Sequence, residues 1–478
     1  MNCCNRYLTE GRIISSSVIG GTSKPISSPK ISLNIDEEFY KIILINHNPN
    51  SEIILKGLDI VKKYVIREKL IIVGGMAIDF ALRLKGSKLY NDDEIPDYDF
   101  NTPHHWIDAY EIVQWLNRTG INNLSVINAF HPTTMRVRIS STEVADVTYV
   151  PKNIYDKIPR LNYHGFEFAH PYHQYVDQHR ALTYGYENID MDRPVLKNRW
   201  TKDMKRYDLL WGKYPLKFEG NIPSIELSSE KVMSLEFLQD QCLGGFLALQ
   251  YWINWAKPKG FQSSWHIGEC QITANNIKFT TPTESNGITL YSNHLHKLYD
   301  LITKKHKIKS ETFYDKYVDK LPRKIILDNE WELFDNADLW MAAIKDSNNF
   351  YIANLQPIML YMLVQFLSLK RDNQGYLFYA GYMICRELLK FAADKMLPEL
   401  LPTADYYGNK NITDTYKLVL AKFMSKNQKE FVPIPKQPKH VYDHDLIQRK
   451  VYEAYYKFDP ESSELFRMSG NQTSKFWE

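Results

Sequence analysis

The stretch IPDYDF, residues 95–100, places two aspartates one residue apart within an apolar and aromatic run. In a β-strand, side chains at positions i and i+2 point to the same face, so Asp97 and Asp99 project together. Two carboxylates this close repel each other, and burying them is costly unless a partner neutralises their charge. A bound divalent cation is such a partner, and the stretch therefore predicts a strand that carries a metal site.

A third aspartate lies in a later predicted strand. Asp146 stands among apolar neighbours in EVADVTYV, residues 143–150, where an unpaired carboxylate is again costly. If this strand lies beside the one that holds Asp97 and Asp99, three carboxylates converge. Three carboxylates can hold two magnesium-class ions about 3.5–4 Å apart, an arrangement suited to in-line phosphoryl transfer.

A glycine pair precedes the acids. Gly74 and Gly75 lie between a short apolar strand, residues 70–73, and a predicted helix, residues 76–84. Backbone N–H groups at a helix N-terminus can approach a phosphate, and a Cβ would block that approach. Each motif alone has a structural alternative, since D-x-D pairs often form turns and strand–glycine–helix connections often serve packing. Their order, Gly-Gly, D-x-D and then a later acid, favours nucleotide chemistry.

The flanking segments predict a mixed α/β fold in this region. Predicted helices cover residues 56–69 and 102–120, the second with Thr102 as its cap. Predicted strands cover residues 124–130, 135–140 and 143–150. Helical patterns dominate from about residue 220 onward, including residues 228–257 and 376–396.

Composition narrows the class of protein. The chain has 478 residues, a net charge of +3 and 44% hydrophobic residues, which predicts two to four globular domains. Its five cysteines are scattered without a C-x-x-C pair, so we expect a reducing compartment and neither a disulfide framework nor a zinc site. Neither a signal sequence nor a bilayer-length apolar run is apparent, which predicts a soluble intracellular protein.

The order of the motifs resembles the DNA polymerase beta-like nucleotidyltransferase superfamily, in which a strand, G-[GS] and a helix precede D-h-D and a third carboxylate. More narrowly, GGMAIDFALRL, DYDF, ADVTYV, RALTYGYEN and RWTKDMKR resemble the poly(A) polymerase catalytic subunits of large DNA viruses, the mimivirus-like and poxvirus group. This resemblance covers about residues 55–215. The abundance of Tyr, Asn, Ile and Lys, typical of an AT-rich genome, agrees with such a source.

The resemblance implies a template-independent polynucleotide adenylyltransferase that adds AMP from ATP to RNA 3′ ends by a two-metal mechanism, as in mRNA polyadenylation. It assigns Gly74 and Gly75 to the triphosphate loop. It assigns Asp97, Asp99 and Asp146 as catalytic ligands of two Mg²⁺ or Mn²⁺ ions, with Asp146 also assisting deprotonation of the primer 3′-hydroxyl. The sequence departs from the family pattern at Gly75, where a serine is usual, and in a long insertion before the D-x-D.

A basic stretch follows at KNRWTKDMKR, residues 197–206. On a helix, Arg199, Lys202 and Arg206 share one face, which predicts either contact with a triphosphate or RNA backbone or an ordinary solvated surface. The resemblance favours nucleotide binding by this face. The nearby HGFEFAHPYHQYVDQHR, residues 164–180, is rich in histidine. The spacing of its histidines is only a weak indication of a zinc site, and its aromatic side chains could stack on RNA bases. Ordinary packing of these side chains is the favoured interpretation.

The second half contains an echo of the glycine motif. CLGGFLALQYW, residues 242–252, resembles IVGGMAIDFAL, and Glu269 and Gln271 fall about where a D-x-D would follow. A second, metal-free copy of the fold is one interpretation, and a helix with a glycine pair is the other. The predicted organisation is a flexible arm (1–35), a nucleotidyltransferase domain (36–217), a C-terminal domain that is largely helical or a degenerate copy (218–402), and an extension (403–478).

The expected partners are ATP and an RNA 3′ end, and no membrane. A homodimer or a processivity subunit is expected to retain the primer, because no separate RNA-binding module is apparent. The expected location is the host cytoplasm, at the viral factory, or the virion. The alternatives are another RNA-terminal nucleotidyltransferase, for UMP addition or tRNA end repair, and a noncatalytic RNA-binding protein on the same fold.

Overall fold

The computed structural model describes most of residues 51–408, in two compact units that divide between His170 and Pro171. The predicted arm, residues 1–35, and nearly all of the predicted extension, residues 403–478, lie outside the described residues. The predicted domain boundaries stay predictions. The described ranges are 51–91, 97–129, 134–140, 142–150, 152–184, 194–222, 224–283, 285, 287–314, 324–336, 340–369, 373–397 and 406–408.

The first unit is a seven-stranded sheet with flanking helices, and the predicted mixed α/β fold is confirmed. Its helices are α1 (Ser51–Glu68), α2 (Gly74–Arg83), α3 (His105–Arg118) and α4 (Lys152–Tyr155). Its strands are β1 (Ile71–Ile72), β2 (Tyr98–Thr102), β3 (Leu124–Asn128), β4 (Thr134–Ile139), β5 (Thr142–Tyr149), β6 (Arg160–Tyr163) and β7 (Phe166–Ala169).

The strand order of this sheet is β3-β4-β5-β2-β1-β7-β6. β2 runs parallel to β5, and β1 runs parallel to β7, whereas the other neighbours are antiparallel. β1, which precedes the glycine turn, and β2, which contains Asp99 of the D-x-D motif, are therefore direct neighbours in the middle of the sheet.

Apolar side chains fix α2 against this sheet centre. Ile71, Ile72 and Phe100 are fully buried. The ring of Phe80 on α2 packs against that of Phe166, with centroids 5.0 Å apart. Burial of each such side chain is worth roughly 1.5–3 kcal/mol, so the start of α2 has a fixed position beside β2.

A buried polar network holds the far end of β2. The hydroxyl groups of Tyr64, at 2.7 Å, and of Thr102 donate to the Asp108 carboxylate. Burial and the Asp108 charge raise the pKa of Tyr64, so its hydroxyl remains a donor. Thr102, predicted as the cap of α3, is instead the last residue of β2, and His104 precedes the helix. The network ties α1 and α3 to the strand that carries Asp99.

The second unit contains an eight-stranded sheet, a three-stranded sheet and long helices. Its helices are α5 (Pro171–Thr183), α6 (Pro194–Lys213), α7 (Gly245–Ala256), α8 (Leu295–His306), α9 (Leu355–Ser368) and α10 (Asn373–Lys395). Its strands are β8 (Lys231–Ser234), β9 (Gln241–Gly244), β10 (Glu269–Ile272), β11 (Asn276–Thr280), β12 (Ile288–Ser292), β13 (Glu311–Tyr314), β14 (Lys324–Leu327), β15 (Trp331–Asp335), β16 (Trp340–Lys345), β17 (Tyr351–Ala353) and β18 (Tyr406–Gly408).

The eight-stranded sheet repeats the topology of the first sheet. Its order is β13-β14-β15-β12-β9-β17-β16-β18, so β9 and β12 occupy the places of β1 and β2, and β18 is added at the edge. β12 runs parallel to β15 and β9 parallel to β17, while β9 and β12 are antiparallel. The second unit therefore repeats the strand order and directions of the first sheet, as the second-copy interpretation of the glycine echo predicts.

The strands of the second unit differ from the sequence-based prediction. Residues 231–244, predicted as helix, form β8, a 3₁₀ turn and β9. Cys242 and Leu243 are fully buried, and a short apolar run of this kind has no period that separates strand from helix. Glu269 and Gln271, expected in the place of the D-x-D, lie in β10 of the three-stranded sheet.

Among the described residues, the helices are too short or too polar to cross a membrane. The apolar run at residues 357–369, predicted as a core helix, lies almost wholly in α9. Nearly all of its side chains are buried, so its hydrophobicity is explained by packing within the second unit.

Candidate active site

Asp99 and Asp146 are direct neighbours on parallel strands. Their Cα atoms are register partners in the β2–β5 pair, and adjacent strands lie about 4.8 Å apart. Asp97 stands immediately before β2, two residues from Asp99 and therefore on the same face. All three side chains are half-buried. The structure brings together the three acids that the sequence singled out.

The protonation of Asp97 depends on its neighbours. Burial, followed by the Asp146 carboxylate, raises the pKa of Asp97 to about 7, and Glu143 adds to the rise while Arg136 opposes it. The acids therefore repel one another in a partly dehydrated place. A cation bound among them would offset this repulsion and favour the ionised form of Asp97.

The N-terminus of α2 lies against Asp99. The Val73 N–H donates to the Asp99 carbonyl oxygen at 2.9 Å, and α2 begins at Gly74, whose φ is +64°. A Cβ added to Gly74 would lie 2.7 Å from Oδ2 of Asp99. Glycine is thus required both by the left-handed backbone and by the close carboxylate. Gly75 is buried in the first turn of α2.

Arg136 on β4 binds Asp146 through two parallel hydrogen bonds. Its Nε donates to Oδ1 at 2.8 Å and its Nη2 donates to Oδ2 at 2.7 Å. Its Nη1 donates to Glu143. Burial opposes the charged form, but hydrogen bonding to Asp146 and the surrounding carboxylates raise the pKa of Arg136 overall. The site therefore carries a fixed positive charge that sequence reasoning did not predict.

The donor set fits the predicted metal ions in its chemistry. Carboxylate oxygens are the ligands that Mg²⁺ and Mn²⁺ prefer, and Asp97, Asp99 and Asp146 supply them on one face. Within the part of the chain that the structure describes, no group of three or more His, Cys, Asp or Glu side chains is arranged to hold a metal ion. Both oxygens of Asp146 instead face the guanidinium of Arg136.

The second sheet keeps the glycine turn of the first. Gly245 has a φ of +54° and begins α7, just as Gly74 begins α2. A Cβ added to Gly245 would collide with the hydroxyl of Thr289, so Thr289 occupies the place of Asp99. The turn is thus preserved while the carboxylate beside it has become a hydroxyl group.

The remaining acids of the second sheet are also changed. Thr289 is the register partner of Glu332, so Glu332 occupies the place of Asp146. Two residues before Thr289 stands Gly287, in the place of Asp97. One carboxylate of three is left, and it is fully buried. The second copy therefore lacks the donor set of the first.

The predicted nucleotide-binding cations lie on α6 of the second unit. Lys202 and Arg206 are half-buried, and Nη1 of Arg206 lies 4.0 Å from a carboxylate oxygen of Asp203. Arg199 belongs to the same helix, and its side chain lies outside the described residues. The contact of these three residues with nucleotide or RNA stays a prediction.

His179, in the histidine-rich stretch, is a core residue of the second unit. Its Nδ1 donates to Oε1 of Gln356 at 2.8 Å, and its Nε2 accepts from the Tyr382 hydroxyl at 2.7 Å. Burial lowers the pKa of His179 to about 4, so the imidazole is neutral near pH 7. For this histidine the packing interpretation is confirmed.

Residues 59–188 match the family described as poly(A) polymerase catalytic subunit. The predicted resemblance is confirmed over this region. The matched segment contains the glycine turn, the D-x-D motif and the third acid, which are the features that carried the resemblance. It includes the strands of the first sheet and ends close after α5.

Two relatives from African swine fever virus carry provisional names as poly(A) polymerase catalytic subunits. The protein of the Malawi tick isolate is 36% identical over 222 residues, which are 46% of this chain and 45% of that relative. The protein of the Kenya pig isolate is 36% identical over 211 residues, 44% and 43% of the two chains. The chain thus spans less than half the length of these relatives.

A solved structure extends the likeness in fold to both units. The crystal structure of the Megavirus polyadenylate synthase superposes with a TM-score of 0.57, covering 92% of this chain and 93% of that chain at 14% identity. At this identity the comparison shows the fold alone. It agrees with the mixed α/β sheets and flanking helices described above.

Arg136 and Glu143 are the residues of the site that sequence reasoning missed. Arg136 and Arg138 alternate with apolar residues in MRVRIS, residues 135–140, so both point to the face opposite the core. Once β4 and β5 are paired, Arg136 lies directly opposite Asp146. The signal that could have revealed this ion pair is the presence of opposite charges at facing positions of two adjacent strands.

Proposed function

We propose that the protein is a polynucleotide adenylyltransferase that extends RNA 3′ ends with AMP from ATP, without a template, as in mRNA polyadenylation. The alignment of Asp99 with Asp146 beside Gly74 carries the proposal. It is supported by the matched family, which is described as the poly(A) polymerase catalytic subunit. ATP is therefore the expected nucleotide and an RNA 3′ end the expected acceptor.

In this proposal, Asp97, Asp99 and Asp146 would hold two Mg²⁺ or Mn²⁺ ions. When bound, such ions stabilise the negative charge that develops on the reacting phosphate and the leaving pyrophosphate. The first turn of α2, at Gly74 and Gly75, presents backbone N–H groups to the triphosphate. A carboxylate oxygen of Asp146 takes the proton of the primer 3′-hydroxyl. The hydroxyl oxygen of the primer then becomes a better nucleophile.

The basic helix α6, an RNA-retaining partner and a viral location complete the proposed function. Arg199, Lys202 and Arg206 would contact the triphosphate or the RNA backbone, because guanidinium and ammonium groups bind phosphate strongly. A homodimer or a processivity subunit would retain the primer between additions. The host cytoplasm, at the viral factory, and the virion are the places where new viral transcripts would need such an enzyme.

The test is primer extension with a 5′-labelled short RNA, each nucleoside triphosphate separately, and Mg²⁺ or Mn²⁺. We expect long extension with ATP alone. Asp97→Ala and Asp99→Ala should each lower incorporation by at least about a hundredfold while keeping the wild-type melting temperature.

Three outcomes would contradict the proposal in different ways. Extension with UTP or CTP while ATP is inert would indicate another RNA-terminal nucleotidyltransferase. Substantial incorporation by both alanine variants would remove the acids from the reaction. A wild-type protein that neither extends RNA nor binds ATP with Mn²⁺ would favour the alternative of a noncatalytic RNA-binding protein.

A further inference from the structure

We infer that Arg136 is a positioning residue whose guanidinium competes with a divalent cation for the Asp146 carboxylate. The inference rests on the proposed function, because it takes Asp146 to be a metal ligand. It goes beyond that function by assigning a role to a residue outside the glycine, D-x-D and third-acid motifs.

The first support is the geometry of the ion pair. Arg136 donates to both oxygens of Asp146, at 2.8 Å and 2.7 Å, and a two-point pair fixes the plane of the carboxylate. A cation that takes an oxygen of Asp146 must share it with a guanidinium or displace the guanidinium. Sharing places two positive charges on one carboxylate, which costs Coulomb energy in a half-buried place. Displacement is feasible because the Arg136 side chain is 26% exposed.

The second support is the partner that Arg136 keeps when it leaves Asp146. Its Nη1 donates to Glu143, and Glu143 also accepts a hydrogen bond from Nη2 of Arg138 at 3.1 Å. Glu143 is only half-buried. In the strand register, Asp99 pairs with Asp146 and not with Glu143. The guanidinium therefore retains a carboxylate partner after releasing Asp146, which lowers the cost of the exchange.

The third support comes from the second sheet. There, Nζ of Lys324 on β14 lies 2.7 Å from Oε1 of Glu332, and the Tyr361 hydroxyl donates to Oε2 at 2.6 Å. Glu332 is fully buried, so its cation is a permanent partner. In both sheets a basic side chain from the adjacent antiparallel strand neutralises the acid in the third position. Of the two sheets, only the first places two further acids beside the acid in the third position and leaves the basic side chain and its carboxylate partly exposed.

The consequence is a weaker site for a lone cation. The three acids would attract a divalent ion strongly, and the positive charge of Arg136 reduces that attraction. Asp146 is then held in a fixed orientation by Arg136 until a cation with sufficient affinity takes over. Removing the guanidinium should therefore strengthen cation binding.

The test measures Mn²⁺ binding to the full-length protein without nucleotide, from the electron paramagnetic resonance signal of free Mn²⁺. Arg136→Gln should lower the Kd about tenfold. Arg136→Lys keeps the charge but loses the two-point pair, and its Kd should fall between the two. Arg138→Gln is the matched control, since it removes the same charge two residues away, and it should bind as the wild type does.

Several results would overturn the inference. An unchanged or higher Kd in folded Arg136→Gln would show that the guanidinium supports or ignores the cation. An equal decrease in Arg138→Gln would indicate a general charge effect. If Arg136→Gln does not fold, Arg136→Lys decides, and a Kd equal to that of the wild type rejects competition. Asp97→Ala separates the two proposals, because unchanged Mn²⁺ binding in that variant would reject the metal site itself.

Discussion

At Gly74 the absence of a Cβ allows both the left-handed backbone conformation and the close approach of Asp99. Gly74→Ala would strain a residue with a φ of +64° and push a Cβ to 2.7 Å from Oδ2 of Asp99. The backbone strain costs about 1–2 kcal/mol, and displacement of a reacting group by about 1 Å costs about a hundredfold in rate. We expect incorporation of AMP to fall about a hundredfold.

Gly86 supplies the control for this prediction. Its φ is +67°, and a Cβ added to it would have open space around it. Gly86→Ala should therefore lower the melting temperature through the same backbone strain while retaining AMP incorporation. Equal loss of incorporation in the two variants would mean that contact with Asp99 does not matter.

At this scale the sequence predicted the acids well and their counter-charge poorly. Side chains two residues apart in a strand share a face whatever the rest of the fold does, so Asp97 and Asp99 could be paired by local geometry alone. Arg136 meets Asp146 only through the register of β4 on β5. That register is a property of the folded hairpin, and local sequence motifs do not specify it.

Among the elements, β5 and β15 hold acids in equivalent places with different surroundings. Glu332 is fully buried beside Lys324, whose side chain is 13% exposed, whereas the Asp146 side chain is 17% exposed. Glu332→Gln should leave a buried ammonium without its charge partner and cost about 3–5 kcal/mol of unfolding free energy. Asp146→Asn should cost less stability but abolish incorporation.

Urea unfolding and AMP incorporation, measured on both variants, check this contrast. Glu332→Gln should show the larger loss of stability, and Asp146→Asn should show the larger loss of incorporation. A Glu332→Gln variant with wild-type stability would contradict the structural role of the buried pair. A fully active Asp146→Asn variant would contradict the role of the third acid.

The packing of α5 against α9 and α10 makes the second unit sensitive to acid through His179. Its pKa is lowered to about 4 in the folded chain, against about 6.5 when unfolded. Between these values the unfolded state binds a proton that the folded state does not, so the unfolding free energy falls as the pH falls. From about pH 7.5 to about pH 5 the loss should be about 2 kcal/mol.

His179→Gln isolates this contribution, because glutamine can hydrogen-bond but does not titrate. The difference in unfolding free energy between wild type and variant, measured with urea at both pH values, should shrink by about 2 kcal/mol at the lower pH. Parallel loss of stability in the two proteins would assign the pH dependence to other groups.

The elements of the first unit were predicted more accurately than those of the second. In the first unit, alternation and turn residues mark β3, β4 and β5 and the helix α3, and the predicted helix starts differ from the structure by a few residues. The elements α4, β6 and β7 were not predicted from the sequence. In the second unit, β9 is a short, fully buried strand without alternation, and it runs directly into the apolar helix α7. A continuous apolar stretch of this kind was interpreted as helix.

Across the whole molecule, one sheet topology occurs twice with different side chains at the equivalent positions. The order and direction of the strands agree between the sheets, whereas two of the three acids are replaced by Gly287 and Thr289. The glycine echo left this duplication open as one of two interpretations, and the insertion of β10 and β11 between β9 and β12 misplaced the expected acids. Topology is determined by burial and register, so it survives replacement of the acidic side chains.

We propose that the divalent ions bind at Asp97, Asp99 and Asp146 and not in the second sheet. The most direct measurement is anomalous scattering near the manganese edge from crystals grown with Mn²⁺ and a non-hydrolysable ATP analogue. We expect two anomalous peaks, each about 2.0–2.5 Å from oxygens of these acids, and none beside Glu332. Peaks that lie elsewhere, with the three acids free of manganese, would contradict it.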